Sequence, residues 1–410
     1  MAPVERFCAR GLADPVSRDL CASASPTSFS GLVKSLRLDA YYQFAITTNS
    51  ASLDARRVNP LNPRLILMRY DARTTAPDAG FAALAFTRGE PLVELVSRDP
   101  VSGELRFLLV GFALACMQKD QCQLVDLLTD AIERGWLGLW VATDDDLKNT
   151  PRDCLRCHQV NGPGTPRILR MQERKHPWAH WLISGPGSTE SSGLFNDFYR
   201  AHPQNEPFGG LEPGFIDIGA PTILQGLIES QGFSPQPNEF ASDAIARELL
   251  ASDGSSSATW NGLYATAISG NAIPVPYAKV RATDPDRQAR AADSYARVAA
   301  RLAPPSDLLD IGALLSDEAE RAMSIRPRLG ATGREILVQM CHGCHNSRLD
   351  QTISRARFNI DTLDALPRDE KREAIERIRL PAADPRKMPP PIESELSLDE
   401  IERVATELAQ

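Results

Sequence analysis

Two five-residue stretches, Cys154-Leu155-Arg156-Cys157-His158 and Cys341-His342-Gly343-Cys344-His345, combine residue types whose spacing can do chemistry. In a helical turn residues three apart share a face. Two thiols so placed reach one planar group together, and the His that follows presents an imidazole to its centre. This is the spacing by which two cysteines add to the two vinyl groups of one porphyrin, giving a covalent c-type haem with the His as iron ligand. With 8 Cys and 6 His in the chain, random placement would give roughly 0.002 such pentads, so a duplicate is not an accident of composition. A zinc ribbon spaces its two Cys-x-x-Cys knuckles about 15–20 residues apart, unlike Cys154 and Cys341. A thioredoxin-like redox motif does not explain a His after both pairs.

Well beyond the second pentad stands Lys387-Met388-Pro389-Pro390. The Met388 thioether is soft and favours Fe(II), and the fixed φ of each Pro stiffens its loop, so Met388 is the expected ligand opposite His345. Opposite His158 the choice stays open. His180, in Trp178-Ala179-His180-Trp181, sits among aromatic side chains suited to walling a haem and is preferred. Met171 and His202 are the alternatives, together with an open site. Pro177 interrupts the helical pattern just after His176. Two covalently attached haem c groups are thus the expected cofactors.

The elements that must position these groups divide the chain in three. A length of 410 residues suits two or three domains. Residues 1–145 carry no pentad and read as β-rich: Arg64 to Tyr70, Phe81 to Phe86, Pro91 to Val96 and Glu104 to Val110 are apolar runs of strand length, the last two joined by a hairpin turn through Asp99 to Gly103. Helical pieces are expected from Gly31 to Tyr41 and from Leu124 to Arg134. This domain suits partner docking or haem shielding.

Residues 146–325 form a helical, loop-rich first haem domain. Asp144-Asp145-Asp146 before it reads as a solvated helix start. Gly162-Pro163-Gly164-Thr165-Pro166 turns the chain round the porphyrin edge. Arg167, Arg170, Arg174 and Lys175 suit either the haem propionates or a solvated face. Helical spacing recurs in Pro221–Ser230, Ser242–Ala251, Trp260–Ser269 and Asp284–Leu302, whereas the prolines of Ala272–Tyr277 keep that stretch extended. Residues 326–410 open on a helix running into Cys341, with Thr332 and Glu335 placed as a capping box. They continue through a helix from Asp369 to Arg379 and close on Ser397 to Ala409, whose Leu398, Ile401, Val404 and Leu408 should face inward.

This last segment resembles a class I cytochrome c domain. The resemblance implies terminal helices crossing beside the haem, Cys341 and Cys344 as thioether residues, His345 as proximal ligand and Met388 as distal ligand. The order of the whole chain is similar to that of exported multidomain di-haem cytochromes, and for residues 146–325 the likeness covers the pentad alone. The implied fold class is α+β multidomain: a β-rich domain, then two mainly helical haem c domains.

The net charge of −8 argues against nucleic acid, which selects a basic face. No 18-residue apolar run marks a membrane span. Met1 to Arg6 has no hydrophobic signal core, whereas c-type attachment in bacteria follows export. The expectation is a periplasmic or extracellular protein whose leader has been removed, and a lipid anchor on that leader is compatible with the sequence. Cys8, Cys21, Cys116 and Cys122 lie outside the pentads, an even number that suits disulfides in an exported chain. Of three pairings, Cys8 with Cys21 and Cys116 with Cys122 is favoured, the second bracketing a polar turn. Single-electron transfer between redox proteins is the leading function. A di-haem peroxidase or oxidase with a displaceable ligand at the first iron is the alternative.

Overall fold

A computed structural model describes residues 2–38, 43–47, 64–69, 80–123, 126–127, 130–169, 181–182, 317–322, 324–391 and 394–410, with isolated positions between 286 and 307. The architecture is mixed α+β. Among the described residues, eight strands form one sheet in the order β1-β7-β6-β5-β4-β3-β2-β8. They are β1 (Ala2–Pro3), β2 (Gln43–Thr47), β3 (Arg64–Arg69), β4 (Ala82–Phe86), β5 (Leu92–Arg98), β6 (Leu105–Phe112), β7 (Leu139–Thr143) and β8 (Trp181–Leu182). Every neighbouring pair is antiparallel.

The strand sequences are almost wholly apolar because both faces of the sheet are covered. Leu65, Leu67, Leu84, Phe86, Val93, Leu108 and Val110 point to one side. There they pack against α1 (Val4–Cys8), α2 (Pro15–Ala22) and α3 (Phe29–Ser35) through Phe7, Leu20, Phe29 and Leu32. The alternate residues Ile66, Met68, Ala83, Leu105 and Phe107 point to the other side, against Leu155 and Leu169. The stretch carrying the first pentad therefore lies on the sheet itself. Buried Arg69 pairs with Asp19 of α2 at 2.6 Å, tying the helical layer to β3.

Disulfides join Cys8 to Cys21 and Cys116 to Cys122, with Cα separations of 5.5 and 4.7 Å. The first couples α1 to α2 and the second closes the turn after β6. The expected hairpin is present, its turn closed by Asp99, whose carboxylate accepts from the Val101 and Ser102 amides and from Arg106.

The expected helix from Gly31 to Tyr41 lies further toward the N-terminus. Ser28 caps α3 by accepting from the Gly31 amide at 3.0 Å, and Arg37 with φ 56° takes the chain out of helix. Around 124–134 the described residues are helical at Asp126 and Leu127 and form a 3₁₀ turn at Asp130–Glu133. The helices expected at Pro221–Ser230, Ser242–Ala251 and Trp260–Ser269, and the extended Ala272–Tyr277 stretch, lie outside the described residues, as does most of Asp284–Leu302.

Further elements complete the order: α4 (Asp144–Leu147), α5 (Leu155–His158), α6 (Asp317–Ala322), α7 (Gly333–Cys341), α8 (Ser354–Arg357), α9 (Arg368–Arg379) and α10 (Leu398–Leu408). The capping box of α7 is made on both sides, Thr332 accepting from the Glu335 amide and Glu335 from the Thr332 amide. Ser397 and Glu400 cap α10 in the same way. Helices α7 and α10 cross so closely that a Cβ on Gly333 would stand 2.3 Å from the Arg403 carbonyl oxygen. Ile401, Val404 and Leu408 are buried at this crossing with Ile336 and Leu337. Leu398, expected on the same inward stripe, is instead 83% exposed: it is the first residue of α10, ahead of the turns that meet α7. Gly333→Val puts methyl groups into the Arg403 main chain and should cost about 2 kcal/mol or more, read as a lower denaturant midpoint for unfolding of residues 326–410.

Candidate functional site

Each pentad is held as one helical turn. The His158 amide donates to the Cys154 carbonyl at 3.0 Å, and the His345 amide to the Cys341 carbonyl at 2.9 Å. The turn sets the first Cys and the His, four residues apart, on one helical face. Nδ1 of His158 donates to the Ile168 carbonyl at 2.9 Å, and Nδ1 of His345 to the Arg355 carbonyl at 2.7 Å. Both acceptors lie ten residues beyond the histidine they serve. A carbonyl only accepts, so the proton sits on Nδ1 and Nε2 is the nitrogen whose lone pair suits a metal. Burial pushes the His345 imidazole down to about 4 against the opposing pull of the Arg355 carbonyl, so the ring is neutral at physiological pH.

Aromatic rings orient both imidazoles. Phe107 of β6 stacks on the His158 ring at 4.2 Å and 22°, so the sheet supplies a wall for the first pentad. Phe358 meets the His345 ring edge-on at 5.4 Å and 82°. The four pentad cysteines, Cys154, Cys157, Cys341 and Cys344, are not joined to one another. Burial pushes the Cys341 thiol up to about 12 and the Cys344 thiol to about 11, and it raises Cys154 as well. A thiolate nucleophile needs the opposite shift. Among the described residues no three His, Cys, Asp or Glu side chains converge as a metal cluster.

Met388 is partly buried in the apolar cluster that also holds Met340, Cys341, Phe358 and Ile378. Its amide donates to the Arg377 carbonyl at 3.2 Å, and the Lys387 ammonium bonds the Ile378 carbonyl, so the proline loop is pinned to the end of α9. Met171, His176, His180 and His202 lie outside the described residues, as do Arg170, Arg174 and Lys175.

One expectation changes. Asp144 is the start of a helix but is not solvated: its side chain is 4% exposed and pairs with Arg167 at 2.5 Å. Burial pushes its carboxyl upward, with Arg167 opposing. Nη1 of Arg167 donates to Asp144 and to the Leu105 carbonyl. Their pairing anchors the segment whose next residue, Ile168, accepts the His158 hydrogen bond.

The two pentads, remote in sequence, are in contact. A Cβ on Gly343 would lie 3.0 Å from the Val160 carbonyl oxygen and 3.3 Å from that of Arg156. Gly162, at φ +85°, passes so near the His342 ring that a Cβ there would fall 2.2 Å from Nδ1. His342 bridges the seam, Nδ1 to the Asn161 carbonyl at 2.8 Å and Nε2 to Asp361 at 2.6 Å. Burial would raise the Asp361 carboxyl, but hydrogen bonds from Ser347 and His342 outweigh it and hold the group below its ordinary range. Arg348 donates to both oxygens of Asp153, at 2.5 and 2.6 Å, across the same seam. Burial pushes the Asp153 carboxyl up while Arg348 and Arg355 oppose it. The partners across the seam are not legible from local sequence, since Asn161 with His342 and Asp153 with Arg348 are 181 and 195 residues apart.

No protein-family model, curated protein or solved structure matches this chain. Removing one member of a buried ion pair strands the other, at a cost of about 3–5 kcal/mol. Asp144→Ala should therefore lower stability by about 3 kcal/mol in urea titration, and Asp144→Ala with Arg167→Met should recover much of that loss.

Proposed function

We propose that this chain is an exported di-haem c-type cytochrome that carries single electrons between redox proteins. The observation that carries the reading is the repeated geometry of its pentads: a Cys-x-x-Cys-His turn whose His donates an Nδ1 hydrogen bond to a carbonyl ten residues on. That arrangement orients Nε2 for an iron and is what an imidazole ligand needs from its surroundings. Cysteines outside any disulfide at all four expected positions suit thioether bonds. When bound, haem supplies one-electron exchange between ferric and ferrous iron.

In this reading Cys154, Cys157 and His158 hold one haem, and Cys341, Cys344 and His345 the other. Met388 serves as the second axial ligand of the C-terminal group, supported by its place in the cluster around Cys341. Opposite His158 the proposed ligand is His180, with Met171 and His202 as alternatives. Domains run over 1–145, 146–325 and 326–410, the last of class I cytochrome c type, for which the α7–α10 crossing at Gly333 gives support. The seam holds a further feature that fits the cofactor: Arg348 Nη1 and Arg355 Nε are buried without a hydrogen-bond partner among the described residues. Buried donors of this kind call for an acceptor, and haem carboxylates are acceptors. Export is supported by the two disulfides. No described helix is long and apolar enough to cross a membrane.

Mass spectrometry of the protein matured in a host able to attach haem should show the mass of two haem groups. A mass accounted for by amino acids alone would refute the proposal. Met388→Ala should abolish the sulfur–iron charge-transfer absorption and lower the potential of one haem only, because Met/His ligation raises it. An unchanged spectrum removes Met388 from the iron.

A further inference from the structure

We propose that Asp153 is a positioning residue shared by the two attachment sites, a buried anion supplied by the first pentad's segment that sets the reduction potential at both. The inference rests on the haem reading above and deepens it. Asp153 immediately precedes Cys154, and its side chain is 2% exposed. Both its oxygens accept from Nη2 of Arg348, and Arg355 Nη2 lies 3.5 Å away. Arg348 stands three residues past His345. Arg355 is gripped at two points: its carbonyl takes the Nδ1 proton of His345, while its guanidinium donates to the Lys148 carbonyl at 3.0 Å. Through Arg355, the first pentad's segment thus holds the acceptor that orients the second pentad's imidazole.

The group comprises two cations and one anion, a net charge of one positive within this cluster. A buried charge of this kind is weakly screened by salt, and it acts on whatever redox centre lies beside it. An oxidised haem iron carries one more positive charge than a reduced one. Removing the anion therefore disfavours the oxidised state, and removing a cation favours it. Weakening the His345 hydrogen bond lowers ligand basicity and acts in the same direction as loss of the anion.

Potentiometric titration of the full-length holoprotein tests this. Asp153→Asn should raise both midpoint potentials, and Arg348→Gln should lower them. Each shift should be on the order of tenfold in the redox equilibrium constant. The double variant should return toward the starting values. Asp364→Asn, at an 82% exposed carboxylate, should leave both potentials in place. If Asp153→Asn fails to mature, Arg348→Gln and the double variant still decide. Unmoved potentials, or single variants that shift the same way while stability falls, would reduce Asp153 to a packing role and overturn the proposal. Haem content measured on the same samples separates the two failures: two attached haems with unresponsive potentials sink this inference alone, whereas absence of haem from the unmutated protein sinks the cytochrome reading with it.

Discussion

Main chain meets main chain where the two pentads touch, with Gly343 against the carbonyls of Val160 and Arg156 and Gly162 against the ring of His342. Asp153 and Asn346 are buried beside this contact. Polar groups caught there must find partners within the protein or weaken the fold by a few kcal/mol each. Asp153 meets that requirement with Arg348 and Arg355, and His342 meets it with Asn161 and Asp361. Arg355 faces two acceptors through one nitrogen, its Nη2 standing 3.0 Å from the Lys148 carbonyl and 3.5 Å from Asp153.

The sheet plays the corresponding part for the first pentad. Its strands are apolar on both sides because α1 to α3 cover one face and the Leu155 and Leu169 segment covers the other. Ion pairs locate these layers. Arg69 with Asp19 sets the helical layer, and Arg167 with Asp144 sets the segment after His158. The C-terminal residues follow a different logic, in which three helices and a proline loop enclose their own cluster around Cys341 and Met388.

What was legible in the sequence follows from how local each signal is. The pentads need only a helical turn, and the Thr332–Glu335 box only four consecutive residues. Strands β3 to β6 stand out as apolar runs, and both disulfides join cysteines close in sequence. Strand β1 carries no such mark, because Ala2 and Pro3 become a strand only on meeting Val141 and Trp140. The burial of Asp144 likewise depends on a guanidinium that local patterning cannot place. Neither acceptor for the histidines was visible, since every residue has a carbonyl and Ile168 and Arg355 carry no distinguishing type. Leu398 matched the helical period and failed because period says nothing about where a neighbouring helix ends.

The stacking of Phe107 on His158 has a consequence for how sharply the first centre is specified. Side chains along a strand alternate between faces, so a slip of β6 by a single residue would send Phe107 into the helical layer and bring Arg106 or Leu108 to the imidazole. The hydrogen-bond ladder with β5 and β7 forbids that slip. Orientation of the ring is therefore encoded as a strand alignment, at a distance from the residues that would bind the metal.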